Sequence, residues 1–275
     1  MSDTTPQPSE QVVSNQAAMD QPVTRLNDEP HAVKAGRGLN WLTDSWALIK
    51  KEPLVFAVMG LVSLVAIFIL NLIPFLGSLA VTLLWPAMMA GFFLAFKHAK
   101  QQQTVSLNDL FTPFRAPGSL IGVGGMYLLA SIVLVVVLGI VAFFSLGSVS
   151  ALSNGQADFS QMGSGLIILG LLSIPAALAL AMAFVFAPVL VHEHQVPVIE
   201  AIKRSFAGSL RNILPFIVFF IVLTLCMIII GLLSAIPLLG WLLGIAVAIM
   251  YLPLSCGALF FAYSDIFLSQ SDSEL

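Results

Sequence analysis

Polar and apolar residues fall along this chain in long blocks. A polar N-terminal stretch is followed by six mainly apolar runs, at about 54–72, 76–96, 119–145, 164–190, 213–235 and 239–264. A helix needs roughly 20 such residues to cross a bilayer. The pattern therefore predicts an all-α polytopic bundle of six spans. Ile73-Pro74-Phe75-Leu76-Gly77 links the first two runs, and Ile236-Pro237-Leu238-Leu239-Gly240 links the last two. Neither link carries a charge, so each predicts a tight helical hairpin. Proline would end the first helix and glycine would permit the turn. The third and fourth runs are joined by a longer Ser/Gly-rich stretch, Ser145 to Ser164, whose only charge is Asp158.

Between the hairpins the period changes to that of a helix. Leu39, Leu42, Trp46 and Ile49 recur at helical spacing, with Asn40, Asp44 and Lys50 between them. Leu107, Leu110, Phe111 and Phe114 repeat the plan against Asn108, Asp109, Thr112 and Arg115. Ile199, Ile202, Phe206 and Leu210 do so against Glu200, Lys203, Arg204 and Ser209. Ser106 and Asp109 have the spacing of a capping box, and Pro197 suits a first turn. Three short amphipathic helices are expected, lying at the membrane interface with their apolar faces toward lipid or the bundle base. Interfacial elbows that lead the chain into the next span are the first reading, and sensing of anionic lipid the second. The basic density falls short of the 4 to 8 clustered residues of a polybasic lipid site.

The units echo one another. Ser45-Trp46, Lys50-Lys51 and Pro53 precede the first hairpin; Ser205-Phe206, Arg211 and Pro215 precede the third. Gln103 to Asp109 resembles His194 to Glu200, each just after an even-numbered span. Two spans per unit make these parallel repeats.

Charge sets the orientation. All eleven Lys and Arg residues lie before the first run, between the second and third, or between the fourth and fifth. Such segregation predicts that both termini are cytoplasmic. Hydrophobic residues make up 59% of the chain and charged residues 9%, with mean hydropathy +1.00. Soluble domains carry about 25% charged residues, so most of the surface faces lipid. No basic stripe interleaved with aromatics marks a nucleic-acid partner. Residues 1–36, with Pro6, Pro8, Pro22 and Pro30, read as a disordered cytoplasmic tail. Residues 37–267 read as one membrane domain and 268–275 as a short cytoplasmic tail.

Candidate chemistry is sparse. No Lys, Arg or Glu falls inside the runs, and Asp265 stands at the exit of the last. Proton- or sodium-coupled transport generally needs an ionisable group at depth. His192-Glu193-His194 lacks the i, i+4 spacing of a zinc pair and reads as a turn at a helix end. Cys226 and Cys256 read as packing thiols. Pro86, Pro175, Pro188 and Pro253 read as kinks. Gly240, Gly244 and Ala248, Ala179, Ala183 and Ala187, and Gly118 and Gly122 have the spacing of close helix contacts within the chain. No catalytic, cofactor or metal site is expected.

Pro188, Glu193 and Glu200-Ala201-Ile202-Lys203-Arg204-Ser205-Phe206 resemble a recurring cytoplasmic motif of uncharacterised bacterial integral membrane proteins. These are similar to the membrane-spanning domain beside the catalytic domain of some glycerophosphoryl diester phosphodiesterases. Gly38 to Pro53, with Trp41, Trp46 and Lys50-Lys51, resembles a segment of predicted proteobacterial inner-membrane proteins. The resemblance implies a six-helix domain of the bacterial inner membrane and no activity. The expected function is a non-enzymatic scaffold or a lipid-interacting protein, with membrane lipids and protein partners or a second copy as its contacts. The alternative is a small-solute or lipid transporter.

Overall fold

The computed structural model describes residues 26–27, 29–145, 159–233, 236 and 239–269. They form helices α1 (Arg37–Ile49), α2 (Pro53–Asn71), α3 (Leu76–Lys100), α4 (Leu107–Phe111), α5 (Gly118–Ser145), α6 (Phe159–Phe184), α7 (Ala187–His194), α8 (Val198–Arg211), α9 (Ile213–Leu233) and α10 (Leu239–Phe267), with a 3-10 turn at Thr112–Arg115 after α4. Six helices are long and apolar enough to cross a membrane, α6 and α7 counting as one. Asp158, Pro237 and Leu238 lie outside the described residues, as do residues 1–25.

Three hairpins result: α2–α3, α5–α6/α7 and α9–α10. Each short helix packs on the hairpin before its own. Helix α4 lies on α2 and α3, α8 lies on α6 and α7, and α1 closes the circuit by lying on α9 and α10. This cyclic order gives the sequence echo a spatial meaning. The Ser45 hydroxyl of α1 donates to the Leu254 carbonyl of α10 at 3.1 Å. The Ser205 hydroxyl of α8 donates to the Met182 carbonyl of α6 at 2.8 Å. Echoed serines thus make the same bond to successive even-numbered spans.

The turn at residues 73–77 is tight for a reason other than the one expected. Gly77 is helical, and the residue with positive φ is Phe75 (φ 61°, ψ −52°). Leu76 N–H donates to the Pro74 carbonyl at 2.7 Å, which makes this a γ-turn of the rarer, strained form. Gly77 serves close approach: a Cβ there would lie 1.8 Å from the Leu70 carbonyl oxygen.

The fourth span is broken. The expected run 164–190 forms two helices parted at Val185–Phe186, with Pro188 near the start of α7. Ser205 bridges the break. Its hydroxyl accepts from Phe186 N–H at 3.0 Å while donating to the Met182 carbonyl, the two groups a continuous helix would have joined. Replacing Ser205 by alanine leaves the Phe186 N–H buried and unpartnered, and leaves the Met182 carbonyl only the longer bond from the Ser209 hydroxyl at 3.3 Å. It is expected to cost about 1–3 kcal/mol, against about 1 kcal/mol or less for Ser45→Ala, which leaves α10 continuous. Thermal unfolding of the detergent-purified variants measures the difference, and equal losses would refute the bridging role. Pro86, Pro175 and Pro253 lie inside continuous helices.

Helix α8 packs small side first. On α8 the buried residues are Ala201, Ser205, Gly208 and Ser209, whereas Ile199, Phe206 and Leu210 are exposed. Lipid tails are as apolar as leucine, so close contact selects small side chains and leaves large ones to lipid. On α1 the expected face is split: Trp41, Leu42, Leu48 and Ile49 are buried, while Leu39 and Trp46 face outward. On α4, Leu110 is buried and Phe111 is not, and Asp109, expected on the polar face, is 7% exposed. Pro197 stands at the N-cap of α8 rather than inside its first turn.

Two of the small-residue stripes make no close backbone contact at Gly244, Gly118 or Gly122. A Cβ at Gly244 or Gly118 would meet nothing within 4 Å, and one at Gly122 only the Val198 side chain. Close contact occurs instead at Gly60, against the Ile249 carbonyl of α10, and at Gly38, against the Pro215 carbonyl of α9.

Candidate functional site

Charged side chains of the described spans gather at one end of the bundle, the base, where the short helices lie. Residues 26–27 and 29–36, placed by the sequence within a disordered tail, are bonded along it. Asn27 N–H donates to the Phe267 carbonyl at 2.8 Å and His31 N–H to the Ile266 carbonyl at 2.7 Å. Carbonyls in the last turn of a helix lack internal partners, so this strap caps α10. Buried Asn212 holds its middle: Oδ1 accepts from Val33 N–H, and Nδ2 donates to the His31 and Gly208 carbonyls, each at 2.8 Å. Arg211 secures the strap at the Pro30 carbonyl (2.8 Å) and Glu29 (3.0 Å).

Asp265 is the anchor of α1. Arg37 grips its carboxylate in a two-pronged pair at 2.7 and 3.0 Å, and the Trp41 indole N–H donates to it at 2.8 Å. The bond to Asp265 raises the Arg37 pKa above its ordinary value, so this cation is locked on. Sequence spacing places Asp265 at the exit of the last span but cannot show partners 228 and 224 positions away. Trp41 is 1% exposed.

Several other charges are also engaged in structure. Lys97 pairs with Glu193, and His194 hydrogen-bonds the Tyr263 hydroxyl. His98 Nδ1 lies 3.0 Å from Asp109, whose carboxylate also accepts Ser106 N–H in the predicted capping box. Lys100 lies over Phe260 and Phe261 at 5.9 and 5.7 Å. His192, Glu193 and His194 occupy the last turn of α7, as expected of a helix end, and Glu193 and His194 have the protein partners Lys97 and Tyr263. Among the described residues no group of three His, Cys, Asp or Glu is placed to hold a metal.

Just inside this layer runs a continuous chain of aromatic contacts. It passes from Phe56 to Phe96 (4.7 Å between centroids), Phe260 (6.1 Å), Phe93 (5.8 Å) and Tyr263 (6.0 Å). From there it continues to Phe186 (6.5 Å), Phe216 (6.0 Å) and Trp41 (5.3 Å). All eight rings are buried, and each such pair is worth about 0.5–1.5 kcal/mol beyond its area. They join α1, α2, α3, α9 and α10 and the break between α6 and α7, so the base is filled.

Among the described residues the opposite end is less closely joined. Hairpin α5–α6 meets the first hairpin along α3, and α10 meets it along α2 and α3. Among the described residues no comparable seam joins α5 or α6 to α9 or α10. On α9, Thr224 to Ile229 are exposed in succession; six consecutive positions cover every face of a helix. Among the described residues an apolar gap therefore parts the second hairpin from the third.

This is a transmembrane protein. It is similar to a probable inner membrane protein of Burkholderia thailandensis, with 28% identity over 192 residues, which is 66% of this chain and 69% of the relative. No family model and no solved structure matches the chain.

Proposed function

We propose that the protein is a non-enzymatic protein of the bacterial inner membrane that holds lipid between its second and third hairpins. The observation that carries this reading is the aromatic layer. A solute path needs a polar or hydrated route, and the base is filled with rings while the gap beyond it is lined by apolar side chains. Water gains nothing in such a gap, whereas acyl chains match it. A lipid transporter remains the second reading, favoured by the break at Val185–Phe186, about which the outer part of α6 could swing. The likeness of Pro188, Glu193 and Glu200–Phe206 to the membrane domain accompanying some glycerophosphoryl diester phosphodiesterases supports a membrane-platform role, because such a domain lacks the chemistry itself.

The detergent-purified protein should retain at least one phospholipid of any headgroup in native mass spectrometry, and full delipidation should lower its unfolding temperature. A lipid-free protein of unchanged stability would overturn the reading.

The orientation is part of the same proposal. Odd spans begin and even spans end at the base, which carries the described Lys and Arg residues, so the positive-inside rule puts it in the cytoplasm. Alkaline phosphatase fused after Asp158 should be active and after Leu275 inactive. The reverse pattern would invert the whole arrangement.

A further inference from the structure

At the base, between the end of α1 and the end of α3, an open cleft is lined by Leu48, Lys51, Glu52, Ala99, Gln102 and Gln103. Its depth in the membrane is fixed by the chain. Lys51 and Glu52 immediately precede the first span, and Gln102 and Gln103 follow the second by two and three residues. Those positions lie at the level of lipid headgroups. Among the described residues, none of these four side chains has a hydrogen-bond or ion-pair partner within the protein. Arg37, Lys97, Arg204 and Arg211, by contrast, are all paired. Gln102 takes the left-handed conformation (φ 57°) as the chain turns off α3.

The lining is chemically specific. Lys51 supplies a cation for a phosphate, and Glu52 supplies a carboxylate for an ammonium. Two amides can donate to phosphate and ester oxygens. A second anion would meet Glu52. A quaternary ammonium has no N–H to donate and is held best by aromatic rings, and none lines the cleft. A primary ammonium fits. On α2, which begins one residue after Glu52, Leu54, Val58, Leu61 and Val65 are exposed at i, i+4, i+7 and i+11, a straight apolar track for an acyl chain.

We propose that this cleft binds the phosphoethanolamine headgroup of a phospholipid in the cytoplasmic leaflet. The cleft is a second lipid position, on the first hairpin and apart from the gap between the second and third; it shares with the reading above only the premise that the protein holds lipid.

The test is competition among synthetic lipids of identical acyl chains. The full-length protein in detergent is mixed with equal amounts of phosphatidylethanolamine, phosphatidylglycerol and phosphatidylcholine, and bound lipid is counted by native mass spectrometry. Phosphatidylethanolamine should be enriched. Lys51→Ala and Glu52→Gln should each lower that enrichment about three- to tenfold, the loss of one charge-assisted bond at a wet interface. Glu52→Lys should shift the preference toward phosphatidylglycerol. Both positions are solvent-edge residues, and unchanged helicity and elution volume confirm that the variants fold. Soluble phosphoethanolamine should displace the lipid only in large molar excess; binding as tight as that of the lipid would identify the free compound as ligand and overturn the lipid assignment. Retention of lipid with no headgroup preference, or with a preference indifferent to both Lys51 and Glu52, would overturn this site and leave the lipid-holding reading intact. Retention of no lipid would overturn both.

Discussion

Gly60→Ala is expected to push the first span away from the last. A Cβ at Gly60 would lie 2.1 Å from the Ile249 carbonyl oxygen and 3.1 Å from the Pro253 ring. That carbonyl is a fixed point: Pro253, four residues on, has no N–H to give it, and α2 closes over it through the missing side chain. Backbone cannot yield as a side-chain tip can, so the helices must separate, at a cost of about 1–3 kcal/mol or more. Gly38→Ala should act similarly on α1, where the Cβ would stand 2.0 Å from the Pro215 carbonyl oxygen. Gly139, Gly170 and Gly231 have nothing within 4 Å. Alanine there should be neutral or stabilise by up to about 1 kcal/mol, because glycine is the poorer helix former. The opposite signs are read from unfolding midpoints of the purified variants. Equal shifts at Gly60 and Gly170 would show that α2 and α10 are not in this contact.

Asp265→Ala should release α1 from the bundle. The substitution leaves the Arg37 guanidinium and the Trp41 indole N–H without the carboxylate that both now use. Removing one partner of a part-buried, hydrogen-bonded pair costs about 2–4 kcal/mol, much of it the penalty on the group left behind. The loss should be local. Amide exchange should rise across Arg37–Ile49 and in the strap that bonds Ile266 and Phe267, while α5 and α6 keep their protection. Arg37→Ala on the Asp265→Ala background should add little, because the pair is already broken. Full additivity of the two changes would refute the pairing.

Block hydrophobicity and charge segregation made the six spans, the tight first turn and the three short helices legible, since all depend on local composition. The capping box at Ser106 and Asp109 was equally visible, as it lies within one helical turn. Sequence periodicity turns the apolar faces of the short helices toward lipid or the bundle base without choosing between them. On α8 Ile199, Phe206 and Leu210 turn outward and Ala201, Ser205 and Gly208 make the contact. The break at Val185–Phe186 was also hidden. Pro188 reads as a kink, and the group that makes a full break tolerable is a hydroxyl 19 residues further on. Asp265 was noticed for its place at the end of the last span, yet its role depends on residues at the other end of the chain. The cleft beside Lys51 and Glu52 arises because α1 and α3 end side by side, which no spacing within either segment records.

The central claim is that the gap between the second and third hairpins holds lipid and not water. A nitroxide scan over Thr224 to Ile229, in the protein reconstituted in bilayers, measures this directly. Those six positions face every side of α9. Collisions with oxygen, which concentrates in lipid, should be frequent at all six, and collisions with a water-soluble nickel complex should be rare at all six. A subset of positions at helical spacing that the nickel complex reaches freely would place an aqueous path along α9 and contradict the account.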